Sequence, residues 1–410
     1  MESAFFGKKP AGSNLSTHSA SPGASQASVI PANRMLPGIH GLRGIAALAV
    51  VMYHLVHLAK IAAPEVFGFI ASDFGKGVHL FFVVSAFSLM HSTGSTLHRQ
   101  SWASEYFIKR FFRIAPLFYC ILACMILWPA LYSHAFAHSL QAILLNLTFT
   151  FGFVPWTGIV WAGWTVGVEM LFYAIFPVLL LTVRSVSATL VLLLLSVAVT
   201  YAARSILQTH FESHVSQYGY NWAYFSFPAN LCYFVFGILA FRLAARADKS
   251  SPTFRWLVPA ISVATLGALM FSKPGSLLFQ WKDEAIAWGL GFGSLCLWQS
   301  TVPSRWCANR FFGYLGERSY SIYLLHPIAI VLLKSTLQDL YALLVPQFGD
   351  YAYFICFLVL LAPLLLLAEL TYRFIEVPGI AFGSSMTKKS RSQIGPGSEG
   401  LQRDQKHLKD

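Results

Sequence analysis

The sequence predicts an all-α polytopic membrane protein, a bundle of about ten transmembrane helices plus one short re-entrant or interfacial segment. Of its 410 residues, 56% are hydrophobic and only 11% are charged, and the mean hydropathy is +0.58. A soluble chain of this length carries more charge on its surface. Many of the apolar segments approach the ~20 residues that a helix needs to cross a bilayer. These segments are residues 41–60, 76–97, 114–133, 139–154, 164–183, 186–203, 223–241, 256–272, 284–300, 319–336 and 351–375.

The distribution of positive charge sets the predicted topology. When 139–154, the shortest segment, is not counted as a span, ten spans remain and both termini lie in the cytosol. This arrangement puts 23 of the 29 Lys and Arg residues on the cytosolic side, as the positive-inside rule requires. We expect 139–154 to be re-entrant or interfacial on the outer side. The net charge is +12. The Lys and Arg residues lie in short loops between apolar runs, which argues against a nucleic-acid partner.

The two ends of the chain differ in composition from the segments between them. Residues 1–34 are rich in Ser, Ala, Gly and Pro without an apolar core, which predicts a disordered cytosolic tail rather than a signal peptide. Residues 35–382 form the predicted integral membrane domain, and 383–410 a basic cytosolic tail. The six cysteines lie mostly in apolar runs without a CxxC pair, so buried free thiols are predicted rather than a metal site.

Two ionisable residues lie inside the first apolar segment. Arg43 enters it from the cytosolic side, and His54 follows eleven residues later, ~16 Å along a helix. Glu169 lies five residues into the fourth span, ~8 Å from its outer end, a depth that matches His54. A carboxylate and an imidazole at one level in a membrane protein indicate function. The carboxylate would orient the imidazole, leaving its other nitrogen as a general base; a purely structural pair between helices is the alternative.

Four further polar side chains are candidates to line the same cavity: Ser85, His79, Tyr173 and His326. Ser85 or Tyr173 could donate a hydrogen bond to a substrate oxygen, although a serine in a membrane helix more often bonds a helix carbonyl. His326 precedes Pro327, where the helix is locally freed, and a structural role for it is equally expected. The sequence leaves these alternatives open.

A basic cluster precedes the third span and consists of Lys109, Arg110 and Arg113. It lies on the same predicted side as Arg43 and could bind phosphates or lipid headgroups. Near the end of the last span, Arg373 and Glu376 have the i,i+3 spacing of a helical ion pair, and we predict that they pair with each other.

Six motifs, in this order, resemble those of the membrane-bound acyltransferase 3 family. The first is "GLRGIAALAVVMYH", in which Arg43 and His54 reproduce the family's Arg-x10-His spacing. The others are "GVHLFFVVSAF", "KRFFRIAPLFY", "WTVGVEMLFYAIFP", "SYSIYLLHPI" and "YRFIEVP". The resemblance covers about residues 36–382. Two departures stand out: His79 lies where the family usually has Asp, and Ala86 where it usually has Gly.

The resemblance implies a bundle of about ten helices that moves an acyl group, commonly acetyl from acetyl-CoA. The acceptors it implies are hydroxyls of extracytoplasmic carbohydrates such as exopolysaccharide or O-antigen. It implies that His54 is the catalytic base, that Arg43 helps to hold the donor, and that Glu169 and the basic cluster are functional neighbours. Acyl-CoA is then a substrate and no resident cofactor is expected. The expected partners are acyl-CoA, a carbohydrate and the lipid bilayer of the bacterial plasma (inner) membrane.

The predicted route has CoA at the cytosolic side and the acceptor entering from outside. The acceptor would pass three tryptophans whose rings suit a sugar face: Trp156, Trp161 and Trp164. Direct transfer and a covalent acyl-enzyme both remain open. The alternatives are a proton-coupled transporter, an acyltransferase acting on a non-carbohydrate small molecule, and a non-catalytic scaffold. The sequence has no inverted repeat of the kind common in transporters.

Overall fold

The computed structural model describes residues 36–94, 97, 99–133, 138–218, 222–272, 276 and 284–393. This part of the chain is mainly helical and contains no β-strand, so the all-α prediction is confirmed. The principal helices are α1 (Pro37–Ala59), α2 (Gly77–Thr93), α3 (Trp102–Ser133), α4 (Leu140–Leu147), α5 (Trp164–Thr182), α6 (Val186–Tyr218), α7 (Leu231–Arg246), α8 (Val258–Met270), α9 (Ala285–Thr301), α10 (Arg310–Glu317), α11 (Ser319–Phe348), α12 (Ala352–Thr371) and α13 (Val377–Gln393).

Each of the ten predicted spans overlaps one of these helices. Eight helical stretches in the described residues are long and apolar enough to cross a membrane, and the last of them, Ser319–Lys388, contains both α11 and α12. Helix α9 has 17 residues and is not among these eight stretches, each of which has at least 18. The protein is therefore a polytopic helical membrane protein, while ten crossings and the cytosolic termini stay predictions.

The segment predicted not to span contains only α4, a helix of 8 residues. At ~1.5 Å per residue it is ~12 Å long, far short of the ~30 Å of hydrocarbon in a bilayer. Short turns of 3₁₀-helix follow it before α5 begins. The structure thus agrees with a non-spanning segment at this point of the chain.

The helices differ in how much of their surface they bury. In the apolar part of α7, 61% of the residues are buried, against 17% in α6, so α7 is central and α6 is peripheral. The ring of Phe234 in α7 stacks on Phe82 of α2 and Phe172 of α5, with centroids 4.8 and 4.0 Å apart. In contrast, Leu194 of α6 is 71% exposed, as expected for a side chain that faces lipid.

Helices α1 and α11 run side by side in the same direction. Near the start of both, Arg43 contacts Ser319. Further along, His54 contacts His326, and beyond that the Gln338 amide donates to the carbonyl of Ala59 at 2.9 Å. This parallel packing agrees with the prediction that the first and ninth spans cross the membrane in the same direction.

The first turns of α1 pack tightly because glycine leaves room for a neighbouring backbone. A Cβ at Gly41 would lie 2.0 Å from the carbonyl oxygen of Cys307, and one at Gly38 would lie 2.2 Å from that of Gln299. Both contacts are too short for any side chain. The glycines therefore fix the position of α1, the helix that carries Arg43 and His54.

At the C-terminal end, helical structure continues past the apolar part of the sequence. A π-helical turn, Tyr372–Glu376, joins α12 to α13, and α13 continues to Gln393, beyond the predicted domain end at 382. Apolar composition alone does not mark the end of a helix, because a helix can continue into a polar sequence, and the end of the membrane domain at 382 stays a prediction. The predicted tail at 1–34 and the last residues, 394–410, lie outside the described residues.

Candidate active site

Arg43 lies beside the first turn of α11. Its Nε donates to the Ser319 hydroxyl at 3.2 Å, and that hydroxyl donates to the carbonyl of Gly316 at 2.8 Å. Within the described residues, the terminal guanidinium nitrogens of Arg43 have no hydrogen-bond partner. Since Arg43 also lines a cavity, these nitrogens are available to a ligand.

The cavity beside Arg43 measures about 40 Å³. That volume accommodates roughly three waters, since a cavity needs ~10–15 Å³ to hold one water. Three α11 residues form one wall, Ser319, Tyr320 and Tyr323. The other walls come from α1, α2 and α5 and comprise Arg43, Val78, Phe81, Phe82, Ser85, Thr165, Val166 and Glu169.

Glu169 accepts two short hydrogen bonds in this cavity wall. The Ser85 hydroxyl and the Tyr173 hydroxyl each donate to its Oε1 at 2.5 Å. Both donors are nearly buried, with 7% and 5% of their surface exposed. Arg43, Ser85, Glu169 and Tyr173 are called the Glu169 site below. Because both hydroxyl protons point to the carboxylate, neither is directed at a substrate oxygen.

The predicted pair of His54 with Glu169 is not formed. The predicted depth of Glu169 requires α5 to begin at the membrane surface. Instead, its first residue, Trp164, packs against Phe82 of α2 with centroids 6.2 Å apart. The first residue of α2, Gly77, already lies beside Ala46 in the middle part of α1. Both helices therefore begin inside the bundle, which places Glu169 near Arg43 rather than near His54.

His54 contacts a second imidazole instead. Its Nδ1 lies 2.9 Å from the carbonyl oxygen of Val50 and 3.2 Å from Nε2 of His326. Because a carbonyl oxygen only accepts, His54 Nδ1 carries the hydrogen and, in the neutral ring, Nε2 bears the lone pair. That Nε2 has no hydrogen-bond partner among the residues described. His54 and His326 are called the His54 site below.

The His54 site lies just beyond one end of the cavity. His326 is fully buried and does not line the cavity, but its ring is 5.6 Å from that of Tyr323, which does. The cavity thus extends from Arg43 to the helical turn of α11 that precedes His326. His326 is a candidate from the sequence, but its contact with His54 was not predicted.

His79 is buried away from this cavity. Its Nε2 is 3.2 Å from the Tyr224 hydroxyl, and its ring lies 4.3 Å from that of Tyr233. Lys76 and Arg204 both lie over the Tyr224 ring, 5.5 and 5.6 Å from its centroid. His79 therefore belongs to a separate aromatic and cationic cluster.

The residues of the predicted basic cluster do not form a single group. Lys109 pairs with Glu105 at 3.5 Å on the same helix. Arg110 donates to the Ser92 hydroxyl at 3.2 Å and lies over the Tyr106 ring. The sequence could have indicated the first pair, because Glu105 precedes Lys109 by four residues.

Arg113 pairs with Glu376 from the π-helical turn at 3.1 Å, and Glu376 is only 1% exposed. The predicted pair of Arg373 with Glu376 is therefore wrong. The π-helical turn directs Glu376 into the bundle, where the Ser321 hydroxyl also donates to it. Arg373 instead pairs with Glu369, one helical turn before it.

The three tryptophans predicted on the acceptor side differ in exposure. Trp161 is 55% exposed. Trp164 packs against Phe82 and against Phe225, whose ring centroid is 4.7 Å away. Trp156 adopts a left-handed backbone conformation with φ 59°, which is uncommon for an aromatic residue. Of the three, Trp161 has the most surface available to a ligand.

The positions of three α11 residues in the cavity wall could not be predicted from the sequence. The tyrosines of "SYSIYLLHPI" were inside a recognised motif, but only their positions in the structure place Tyr320 and Tyr323 on the cavity. Ser319 is the first residue of the same motif and accepts from Arg43, but the motif does not reveal this contact. In the part of the chain that the structure describes, no cluster of His, Cys, Asp and Glu could hold a metal.

Comparison with known proteins identifies the class of protein that this bundle belongs to. Residues 36–370 match the family model of the acyltransferase 3 type, described as an acyltransferase domain. The chain therefore belongs to this family, as its six motifs suggested. No solved structure matches the chain.

The curated relatives come from two bacteria. The chain is 26% identical over 389 residues to "Putative O-acetyltransferase SACOL0978" of Staphylococcus aureus strain COL, and equally to "Putative O-acetyltransferase SAS0844" of strain MSSA476. These alignments cover 84% of this chain but 57% of each relative, so the chain spans little more than half of their length. "Protein 2 in picA locus" of Rhizobium radiobacter is 35% identical over 88 residues, which are 21% of this chain and 42% of that protein.

Proposed function

We propose that this protein is an integral membrane O-acyltransferase that moves an acyl group, acetyl by preference, from acyl-CoA to a carbohydrate hydroxyl. The observation that carries this proposal is the arrangement of α1. One helix presents a guanidinium to a cavity at one end and an imidazole with an unpaired Nε2 further along. The family membership and the names of the relatives support acyl transfer over transport.

The donor is proposed to enter at the cytosolic end of α1. Arg43 contributes its terminal nitrogens, and the basic residues Lys109, Arg110 and Arg113 lie on the same predicted side. Lys109 is more exposed than Arg113, with 39% against 23% of its side chain accessible, so it can turn toward a phosphate. Arg113 is held by Glu376 and contributes its charge rather than a free donor.

The chemistry is proposed to occur at His54. Its Nε2 removes the proton of the acceptor hydroxyl while the hydroxyl oxygen bonds to the thioester carbonyl carbon. The C–S bond then breaks, and the proton passes from His54 to the departing CoA thiolate. The acceptor enters from the extracytoplasmic side, past Trp161. With both termini in the cytosol, the protein would lie in the plasma (inner) membrane.

A matched pair of histidine variants tests this proposal. His57 lies one turn after His54 on α1, and its Nε2 is 2.8 Å from the carbonyl oxygen of Ala71. Membranes containing wild type, His54→Ala or His57→Ala at equal expression receive acetyl-labelled acetyl-CoA, and label is followed into carbohydrate. We expect label with wild type and His57→Ala, and a loss of about 100-fold or more with His54→Ala.

Two outcomes would contradict the proposal. Full labelling by His54→Ala would remove His54 as the base. A wild type that labels no carbohydrate fraction, yet moves protons with a solute across the membrane, would favour the proton-coupled transporter.

A further inference from the structure

Pro327 changes the hydrogen bonding of α11 at the residue before it. In a regular helix the N–H of residue 327 would donate to the carbonyl of Tyr323, four residues earlier. Proline has no N–H, so it leaves this carbonyl free. In the structure the Tyr323 carbonyl oxygen lies 2.5 Å from Nδ1 of His326. The side chain next to the proline therefore takes the position that the backbone N–H would have filled.

This contact determines which nitrogen of His326 carries hydrogen. A carbonyl only accepts, so His326 Nδ1 is the donor, and in the neutral ring Nε2 bears the lone pair. That Nε2 lies 3.2 Å from Nδ1 of His54. His54 Nδ1 thus faces two acceptors, His326 Nε2 and the Val50 carbonyl. Both neighbours require His54 to carry its hydrogen on Nδ1.

We propose that His326 is a positioning residue for His54, with its own orientation fixed by Pro327. This inference rests on the proposed function, in which His54 Nε2 accepts the hydroxyl proton. When Nε2 gains that proton, the Nδ1–H of the imidazolium makes a charge-assisted hydrogen bond to His326 Nε2. His326 keeps its own Nδ1 hydrogen throughout, and the proton on His54 Nε2 leaves with the CoA thiolate.

His326 thereby does the work that a carboxylate does beside many catalytic histidines, but without adding a charge. Glu169 is the carboxylate that the sequence predicted beside His54, but it accepts from Ser85 and Tyr173 instead. A neutral acceptor suits a fully buried position, where an unpaired charge is costly. Pro327 has a definite part in this arrangement, because without it the Tyr323 carbonyl would be taken by the backbone.

The experiment compares substitutions that retain or remove one acceptor atom. In His326→Gln the side-chain oxygen can reach the place of Nε2 and accept from His54. In His326→Asn the shorter amide reaches only the place of Nδ1, and His326→Leu has no polar atom. Initial rates of label transfer from acetyl-CoA to the carbohydrate fraction of the membranes give kcat and KM for each variant and for His54→Ala.

We expect His326→Leu and His326→Asn to lower kcat by about 10- to 100-fold, and His326→Gln to stay within roughly threefold of wild type, with KM for acetyl-CoA unchanged in all three. A purely structural role would not separate Gln from Asn in this way. Wild-type kcat in His326→Leu would overturn the proposal, and so would equal losses in all three variants at equal membrane insertion.

The proline is tested against a second proline in the same helix. Pro327→Ala restores an N–H that competes for the Tyr323 carbonyl, so we expect kcat to fall by about 2- to 5-fold. Pro346→Ala makes the same change where no histidine precedes the proline and should leave kcat unchanged. Equal effects of the two substitutions would overturn the role of Pro327.

The failure of this inference is distinguishable from that of the proposed function. Loss of transfer in His54→Ala together with normal kcat in every His326 variant would overturn the inference alone. Absence of transfer by the wild type would overturn both, since it removes the reaction that His326 is proposed to assist.

Discussion

The Glu169 site and the His54 site each take one residue from α1, but they are built differently. In the Glu169 site a carboxylate accepts from two hydroxyls, and a guanidinium lines the same cavity. The His54 site consists of two imidazoles and the backbone carbonyls that orient them. The first site is organised by charge, whereas in the second the lone pair of His54 Nε2 accepts no hydrogen bond from the described residues. In the proposed function, Glu169 shapes the cavity and His54 transfers the proton, while His326 positions His54.

The largest expected loss of stability tests the role of the carboxylate. Glu169→Ala leaves the nearly buried hydroxyls of Ser85 and Tyr173 without their acceptor, which we expect to lower the free energy of unfolding by about 2–5 kcal/mol. Glu169→Gln keeps an acceptor oxygen and should lose about 1 kcal/mol or less. Unfolding of the purified protein in mixed micelles measures both. Equal stability of the Ala and Gln variants would show that the carboxylate does not organise its site.

The ion pair that borders the Glu169 site is expected to have a slightly smaller effect. Tyr320, which lines the cavity, donates to the carbonyl of Ile114, next to Arg113. Arg113→Ala leaves Glu376 buried without its cation, and we expect a loss of about 2–4 kcal/mol. Adding Glu376→Gln should restore much of it, because the buried charge is then absent. If the double variant is no more stable than Arg113→Ala, the loss does not come from an unpaired Glu376.

The close packing of α1 affects both sites, because this helix carries both Arg43 and His54. Gly41→Ala forces a Cβ onto the carbonyl of Cys307, and we expect a loss of about 1–3 kcal/mol together with reduced transfer. Gly267→Ala in α8 meets no atom within 4 Å, so it should change stability by less than about 1 kcal/mol. A Gly41→Ala variant as stable as Gly267→Ala would mean that α1 can shift without cost.

The smallest stability effect is expected at the surface. Lys109→Ala breaks a partly exposed pair, while Glu105 keeps the Ser101 hydroxyl at 2.8 Å. We expect a loss below about 1 kcal/mol, with KM for acetyl-CoA raised if Lys109 binds donor phosphates. Measuring stability and KM on the same preparation separates the two roles. Unchanged KM would assign Lys109 to the lipid headgroups instead.

Hydropathy predicted the helices well because spanning requires a long apolar run whatever its neighbours are. The distribution of Lys and Arg, together with its short length, indicated that 139–154 does not span, and the structure has a helix of only 8 residues there. The sequence could not predict how deep α2 and α5 begin, since this depends on how the chain before each helix folds into the bundle. Because of that error, Glu169 was predicted beside His54, whereas it lies near Arg43.

The sequence also did not predict contacts between residues that lie far apart in the chain. Glu376 lies close in sequence to Arg373, yet it pairs with Arg113 because a π-helical turn redirects it. His326 and His54 were each recognised by residue type, and Pro327 by its effect on the helix. Their contact depends on the parallel packing of α1 with α11, which no local pattern encodes.

The most direct test of the division between the two ends of α1 is a comparison of Arg43→Lys with His54→Gln in one assay. Initial rates of acetyl transfer are measured against acetyl-CoA concentration at matched expression. We predict that Arg43→Lys raises KM by about 10-fold with a smaller change in kcat. His54→Gln should lower kcat by about 100-fold or more with KM unchanged. If His54→Gln instead raises KM at constant kcat, His54 binds the donor and the proposed proton transfer at His54 is contradicted.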